Sequence, residues 1–271
     1  MIVFPKAKIN LGLRIIGKRP DGYHDIETLF YPIGLSDALE FVVNDGPEDE
    51  LTVSGIATRG NPEDNLVLKT IYKLRENYSF PKLKTHLHKA IPMGAGLGGG
   101  SSDAVCLLKV LNRFFNLSIE TEVLKTIALE LGSDCPFFID GTPAFGTGRG
   151  EILIPCKPVL KGMYLLLLNP GIAISTKEAF MNCNPENPST SIFQLTDRPV
   201  AEWKRLIIND FEDYAFKEHP LISELKSALY DCGAIFSSMS GSGSSVYGLY
   251  TDKPEVPDKL KEFVIWQGIL K

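Results

Sequence analysis

The chain has 271 residues, enough for one large domain or two moderate ones, and a chain of this length buries a core without disulfides or a metal. Its 44% hydrophobic and 23% charged residues are those of an ordinary globular protein. A net charge of −5 and a pI near 5.5 exclude a broad nucleic-acid surface, which needs clustered Lys and Arg, but leave room for a small basic phosphate site.

Five cysteines, Cys106, Cys135, Cys156, Cys183 and Cys232, are odd in number, widely spaced and without a CxxC pair. That usage reads as reduced thiols in a cytoplasmic protein. The start, "MIVFPKAKINLGLRI", is broken by Lys6, Lys8 and Arg14 and is not a signal peptide. No apolar run approaches the roughly 18 residues of a membrane span, so no membrane partner is expected.

In chain order, "AKINLGLRIIG" (7–17) and "ALEFVVN" (38–44) read as strands, separated by the turn residues Asp21-Gly22 and Asp45-Gly46-Pro47. From Asn65, "NLVLKTIYKLRENY" has helical spacing, with Asn65 or Asp64 as its cap. "LKTHLHKAIPM" (83–93) reads as a strand running into "PMGAGLGGGSSDA" (92–104). Ala104, Leu107, Leu108, Leu111 and Phe115 then fall on one helical face, with the helix beginning at Ser101–Asp103. A further helix follows Ser118 and ends at Gly132. Pro and Gly cluster at 141–158, and a domain boundary is expected near 155, giving domains 1–155 and 156–271. Beyond it come a strand (163–169), helices near 176–183 and 199–217, and a helix over 220–232 closed by Gly233. A strand pair (234–241 and 244–250) and a last helix from about Val256 complete the chain. "NCNPENPSTS" (182–191) is the expected mobile loop. Without regular βαβ spacing, the fold class is α+β rather than a doubly wound parallel sheet.

The glycine run between a strand and a helix suits an anion. Glycines let the backbone approach a ligand and aim several N–H groups into one concavity, and the helix dipole adds to them. Gly94, Gly96 and Gly99 also satisfy the dinucleotide form G-x-G-x-x-G, and Glu120 lies about 20 residues on. Glu120 falls at a helix start, however, where it would not meet a ribose, and a second βαβ unit is missing. A dinucleotide-dependent oxidoreductase, or a nucleotide-binding regulator without chemistry, remains the reading from a different class. His86 and His88 share a strand face, but no third ligand of suitable spacing accompanies them, and a polar strand face is the better reading.

With its flanks, the loop resembles the phosphate loop of the GHMP kinases, the superfamily of galacto-, homoserine, mevalonate and phosphomevalonate kinases. "AKINLGL" (7–13) and "MSGSGSSVYG" (239–248) are similar to two further motifs of that superfamily, in the same order. "KRPDGYHDIETLF" (18–30), "LGSDCPFFIDGTPAFGTGRGE" (131–151) and "NPGIAISTKEAF" (169–180) are similar to the branch acting on a CDP-linked methylerythritol in isoprenoid precursor biosynthesis. Another GHMP small-molecule kinase is the nearer alternative. The resemblance implies a two-domain GHMP kinase fold, with an N-terminal ribosomal-protein-S5-like α/β domain and a C-terminal ferredoxin-like α+β domain. It also implies ATP-dependent phosphorylation of a tertiary hydroxyl, with Mg²⁺ accompanying the ATP and no protein ligand for the metal identified.

By the same resemblance, Pro92, Met93, Gly94, Ala95, Gly96, Leu97, Gly98, Gly99, Gly100, Ser101 and Ser102 cradle the ATP phosphates. Asp134 is the general base, and Lys8 pairs with it and with the transferring phosphoryl charge. The superfamily's P-A-K is Lys6-Ala7-Lys8 here, with the proline one place earlier, so Lys6 is a second candidate for the active lysine. Residues 133–136 read S-D-C-P where A-D-V-P is commoner. Tyr23 and Phe180 fall on the two faces of the cytosine, His24 on its edge, and Asn10, Phe30 and Thr176 on the substrate. Asn65 has two equal readings, an adenosine contact and a helix cap. The partner expected is the small-molecule substrate, with the chain a monomer or homodimer.

Overall fold

The computed structural model describes residues 1–56, 61–183, 185 and 190–271. Part of the loop expected over 182–191 lies outside these. In chain order the elements are β1 (Ile2–Val3), β2 (Lys6–Lys18), β3 (His24–Ser36), β4 (Ala38–Asn44), β5 (Glu50–Gly55), α1 (Leu66–Arg75), β6 (Lys82–Lys89), α2 (Gly99–Phe114), α3 (Thr121–Leu131) and α4 (Phe137–Asp140). There follow β7 (Ala144–Thr147), β8 (Ile152–Pro155), β9 (Tyr164–Leu168), α5 (Thr176–Met181), α6 (Ile192–Leu195), α7 (Val200–Trp203), α8 (Glu212–Glu218) and α9 (Pro220–Asp231). The last are β10 (Phe236–Met239), β11 (Val246–Tyr250), α10 (Asp258–Lys261) and β12 (Val264–Ile269).

Two compact units share the chain, and both are discontinuous in sequence. One comprises Met1–Ala7, Leu35–Met93 and Gly98–Gly141; the other comprises Lys8–Gly34, Gly94–Leu97 and Thr142–Lys271. The boundary expected near 155 divides the chain once, whereas the chain passes between these units several times. The glycine loop itself is one such passage.

In the first unit a sheet of order β1-β4-β6-β5 carries the helices α1 to α4. Its β4–β6 pair is antiparallel and β5–β6 parallel. Strand β6 alternates strictly between exposed and buried, with Leu83, Thr85, Leu87 and Lys89 inward, so one face is the core and the other meets water. Helix α2 buries Ala104, Leu107, Leu108 and Leu111, the face its periodicity predicts.

In the second unit, β2-β3-β7-β8 and β10-β11-β9-β12 form two further sheets. Leu166, Leu168, Ile222, Leu225 and Leu229 belong to one core, in which α9 covers the second of these sheets. The pairings given within both are antiparallel, so the α+β class holds.

Four local expectations need correction. The Pro- and Gly-rich stretch 141–158 contains the hairpin β7–β8, whose turn uses Gly148 at φ +67° and Gly150 at φ +106°. The helix expected over 199–217 is broken into α7 and α8. Between them, Ile208 O and Asp210 N bond to Leu13 N and O at 2.9 and 2.8 Å, so an extended segment lies along β2 instead. Helix α2 starts at Gly99, inside the glycine run. Finally, the helix expected from Val256 lasts one turn. Val264, Ile265 and Trp266 are β-branched or aromatic, and β9 offers an open edge with which 264–269 pair antiparallel.

Gly34 of β3 accommodates the indole of Trp266: a methyl group built there would lie 2.8 Å from Trp266 Cζ2. Gly34→Ala is therefore expected to destabilise the fold by about 1–3 kcal/mol, read from denaturant midpoints. An unchanged midpoint would show that β12 gives way freely.

Candidate active site

Residues of three distant motifs meet in the second unit. Lys8, on β2, is 3% exposed, and its Nζ donates to Asn10 Oδ1 at 2.6 Å and to the Gly96 carbonyl at 3.2 Å. Its backbone N–H donates to Leu97 O at 3.0 Å. Ser240 Oγ donates to the same Gly96 carbonyl at 2.8 Å and accepts from Asn10 N at 3.0 Å. Gly96 stands at φ +76°, and a Cβ there would sit 1.8 Å from the Ser240 carbonyl oxygen. No L-residue fits both the backbone angle and the contact. Lys6, by contrast, is exposed, which is the distinction between the two lysines that spacing did not supply.

The orientation of Asn10 follows from hydrogen-bond bookkeeping. Thr28 Oγ1 has one proton, which it donates to the Gly12 carbonyl at 2.6 Å. It must then accept from Asn10 Nδ2, at 2.9 Å. This turns the Asn10 amide oxygen toward the Lys8 ammonium. The Phe30 ring, 1% exposed, lies in the core with Lys8 Nζ 5.2 Å from its centre. Asn209, 3% exposed, donates from Nδ2 to Met239 O and Gly241 O, both at 2.8 Å, and shapes the second glycine turn. Thr176 Oγ1 lies 3.0 Å from Ser242 Oγ of that turn.

Near the start of β3, His24 stacks on Phe180 with ring centroids 5.0 Å apart and planes at 13°. Phe180 meets Phe211 edge-on at 4.9 Å. Tyr23 is exposed, and the Arg149 guanidinium sits 4.7 Å over its ring. The structure thus puts His24 on a face of Phe180 where the sequence suggests a base edge. Burial, then the nearby Lys18 charge, lowers the His24 pKa from its ordinary value.

In the first unit, Gly98 precedes α2 as its cap, with a left-handed φ of +67°, and the early N–H groups of the helix follow it. A methyl on Gly99 would lie 2.8 Å from Ile91 Cγ2, so the first turn sits directly on the end of β6. Asp134 is half-buried in the turn between α3 and α4. Its neighbour Cys135 has a thiol pushed up to about 11, chiefly by burial, against a hydrogen bond from Ser101 at the start of α2. Asn65 caps α1, accepting from Val67 N at 2.9 Å.

Glu120 is the residue before α3, at φ −65° and ψ 152°, and among the described residues no second βαβ unit accompanies the loop, which removes the dinucleotide geometry. Among the described residues no cluster of three or more His, Cys, Asp or Glu is arranged to hold a metal. His86 Nε2 and His88 Nδ1 share the Ser54 hydroxyl, at 2.8 and 3.0 Å. No helix among the described residues is long and apolar enough to cross a membrane. Thr28, Ser240, Asn209 and Arg149 were not legible as site residues, because their contacts are made to partners far away in sequence.

Comparison with known proteins identifies the family. The model of the GHMP kinases N terminal domain matches residues 65–142, and that of the GHMP kinases C terminal domain matches 195–265. A 4-diphosphocytidyl-2-C-methyl-D-erythritol kinase of Bacteroides thetaiotaomicron is 50% identical over 95% of this chain and 95% of its own. A protein of the same name from Parabacteroides distasonis is 48% identical over 100% of both chains. A crystal structure of 4-(cytidine 5'-diphospho)-2C-methyl-D-erythritol kinase superposes with a TM-score of 0.81 at 29% identity, over 100% of this chain and 99% of that one. A homoserine kinase from Cytophaga hutchinsonii, 18% identical and with a TM-score of 0.63 over 93% of this chain and 85% of its own, shares the fold. The chain belongs to the GHMP kinase family.

Proposed function

We propose that the chain transfers the γ-phosphoryl group of ATP to the 2-hydroxyl of 4-diphosphocytidyl-2-C-methyl-D-erythritol, a step of isoprenoid precursor biosynthesis carried out in the cytoplasm. The observation that carries this reading is the junction at Lys8. A buried ammonium is held by Asn10 and the Gly96 carbonyl beside the glycine loop, in a chain similar along its length to proteins named for that reaction.

The chemistry is mostly positioning and charge. A tertiary hydroxyl is a weak nucleophile, so a base that takes its proton and in-line placement both matter. Asp134 is the base, and Lys8 offsets charge on the transferring phosphoryl group. Residues 92–102 hold the phosphates through backbone N–H groups and the N-terminal end of α2. Mg²⁺ would be held through phosphate oxygens and water. Asn65 would reach the adenosine with the part of its amide that the cap bond leaves. The cytosine stacks between Tyr23 and Phe180, which requires His24 to leave the Phe180 face and turn to the base edge.

ADP release coupled to an NADH readout tests the reading. ADP should form when the cytidyl alcohol is present, and not when homoserine or mevalonate replaces it. No ADP with the cytidyl alcohol would overturn the assignment. Asp134→Ala should lower kcat by about 10²–10⁴-fold and leave ATP binding nearly unchanged. Phe180→Ala should raise KM for the cytidyl substrate far more than KM for ATP; equal rises would contradict the stacking role. Thr28→Val removes the acceptor that orients Asn10, and should lower kcat about tenfold with KM for ATP little changed, while Thr28→Ser restores it. Full activity in the Val variant would show that Lys8 needs no such support.

A further inference from the structure

Beneath the phosphate-binding end of α2 lies a buried cluster of three charged side chains that the proposed chemistry does not use. Lys89, the last residue of β6, donates from Nζ to Asp37 Oδ2 and, at 2.8 Å, to Asp103 Oδ2. Lys89 is 3% exposed, Asp37 1% and Asp103 2%. Asp37, between β3 and β4, is well served: its Oδ1 also accepts from Ala90 N at 2.6 Å and Ile91 N at 2.8 Å. Asp103, in the second turn of α2, is not. Its Oδ1 is buried without a hydrogen-bond partner among the described residues.

One cation faces two carboxylates, so charge balances only if one carboxyl is neutral. Asp37 has the bonds that favour a carboxylate, and Asp103 has the orphaned oxygen. The cluster also touches the helix mouth. A methyl group on Gly99 would lie 3.3 Å from Lys89 Nζ, so the ammonium sits directly under the first turn of α2.

We propose that Asp103 is a positioning residue whose proton links this cluster to phosphate binding at the start of α2: the cluster takes up a proton when a phosphate group docks at Gly98–Ser102. An ionised Asp103 leaves a net negative charge in low dielectric beside the place where an anion must bind, and repels it. A neutral Asp103 removes that charge and can donate its O–H toward Asp37. Binding a phosphate therefore raises the proton affinity of Asp103, and by linkage a protonated Asp103 raises affinity for phosphate. Burial pushes this carboxyl up to about 7; Lys89 pulls it down and Asp37 pushes it up again. Those are the charged groups that act on it, and the Cys106 thiol, three residues along α2, is the further titratable neighbour. Because the pKa is raised on folding, the folded chain binds more protons than the unfolded one from the ordinary Asp range up to about 7. Stability is fullest below that window and falls as pH rises through it.

The inference rests on the reading of residues 92–102 as the nucleotide phosphate cradle. The test is calorimetric titration of the full chain with ADP near neutral pH, in two phosphate-free buffers of different ionisation enthalpy. The wild type should take up a fraction of a proton beyond that taken up by Asp103→Asn. The variant should bind ADP roughly 3–10-fold more tightly at about pH 8, with the difference closing near about pH 6. Its thermal midpoint should exceed the wild type's at about pH 8 and meet it in acid. Equal proton uptake in the two proteins, or a parallel pH dependence of their midpoints, overturns the proposal. If the variant does not fold, wild-type proton uptake that the change in protonation of ADP's own phosphate accounts for in full overturns it equally. No ADP binding by either protein contradicts the cradle reading instead.

Discussion

Residue 96 can lie against residue 240 only because it has no side chain. The Ser240 carbonyl occupies the space of a Cβ, and the left-handed backbone at Gly96 turns its own carbonyl toward both Ser240 Oγ and Lys8 Nζ. Everything else known of the lysine follows from this contact. The ammonium is buried because Asn10 and the Gly96 carbonyl accept from it. Asn10 points its oxygen there because Thr28 has already given its proton to Gly12. A buried cation without such partners would be costly, so the lysine and the loop conformation require each other.

The chain deploys its buried charges in two ways. At Lys8 the ammonium donates to two neutral oxygens, the Asn10 amide oxygen and the Gly96 carbonyl. At Lys89 the partners are two carboxylates, and the positive charge is spent within the cluster. The second arrangement fastens α2 to β6. Lys8 donates to the Gly96 carbonyl, and the Lys89 ammonium lies under Gly99.

Much of this was legible from residue patterns, for identifiable reasons. The loop, its flanking strand and the buried face of α2 are local features, written in glycine spacing and helical periodicity. The α+β class followed from the irregular order of elements. What was not legible depends on distant partners. The segment 207–210 reads as helix until β2 is there to bond with it, and Val264–Ile269 reads as helix until β9 offers an edge. Thr28 and Asn209 stand out by no spacing or motif of their own, and only their bonds to Asn10 and to the 239–241 carbonyls give them meaning. Lys8 was the first candidate and Lys6 the second, and the two differ sharply by burial. The stacking of His24 on Phe180 was equally out of reach, since the two residues are joined only by the fold.

The central claim is that this GHMP kinase makes a phosphomonoester on the cytidyl-linked alcohol. Phosphorus NMR of the chain with ATP, Mg²⁺ and 4-diphosphocytidyl-2-C-methyl-D-erythritol tests it most directly. The account predicts a new monoester resonance growing in step with ADP while the cytidyl diphosphate signals persist. Inorganic phosphate in place of that resonance, or ATP left unconsumed, would contradict it.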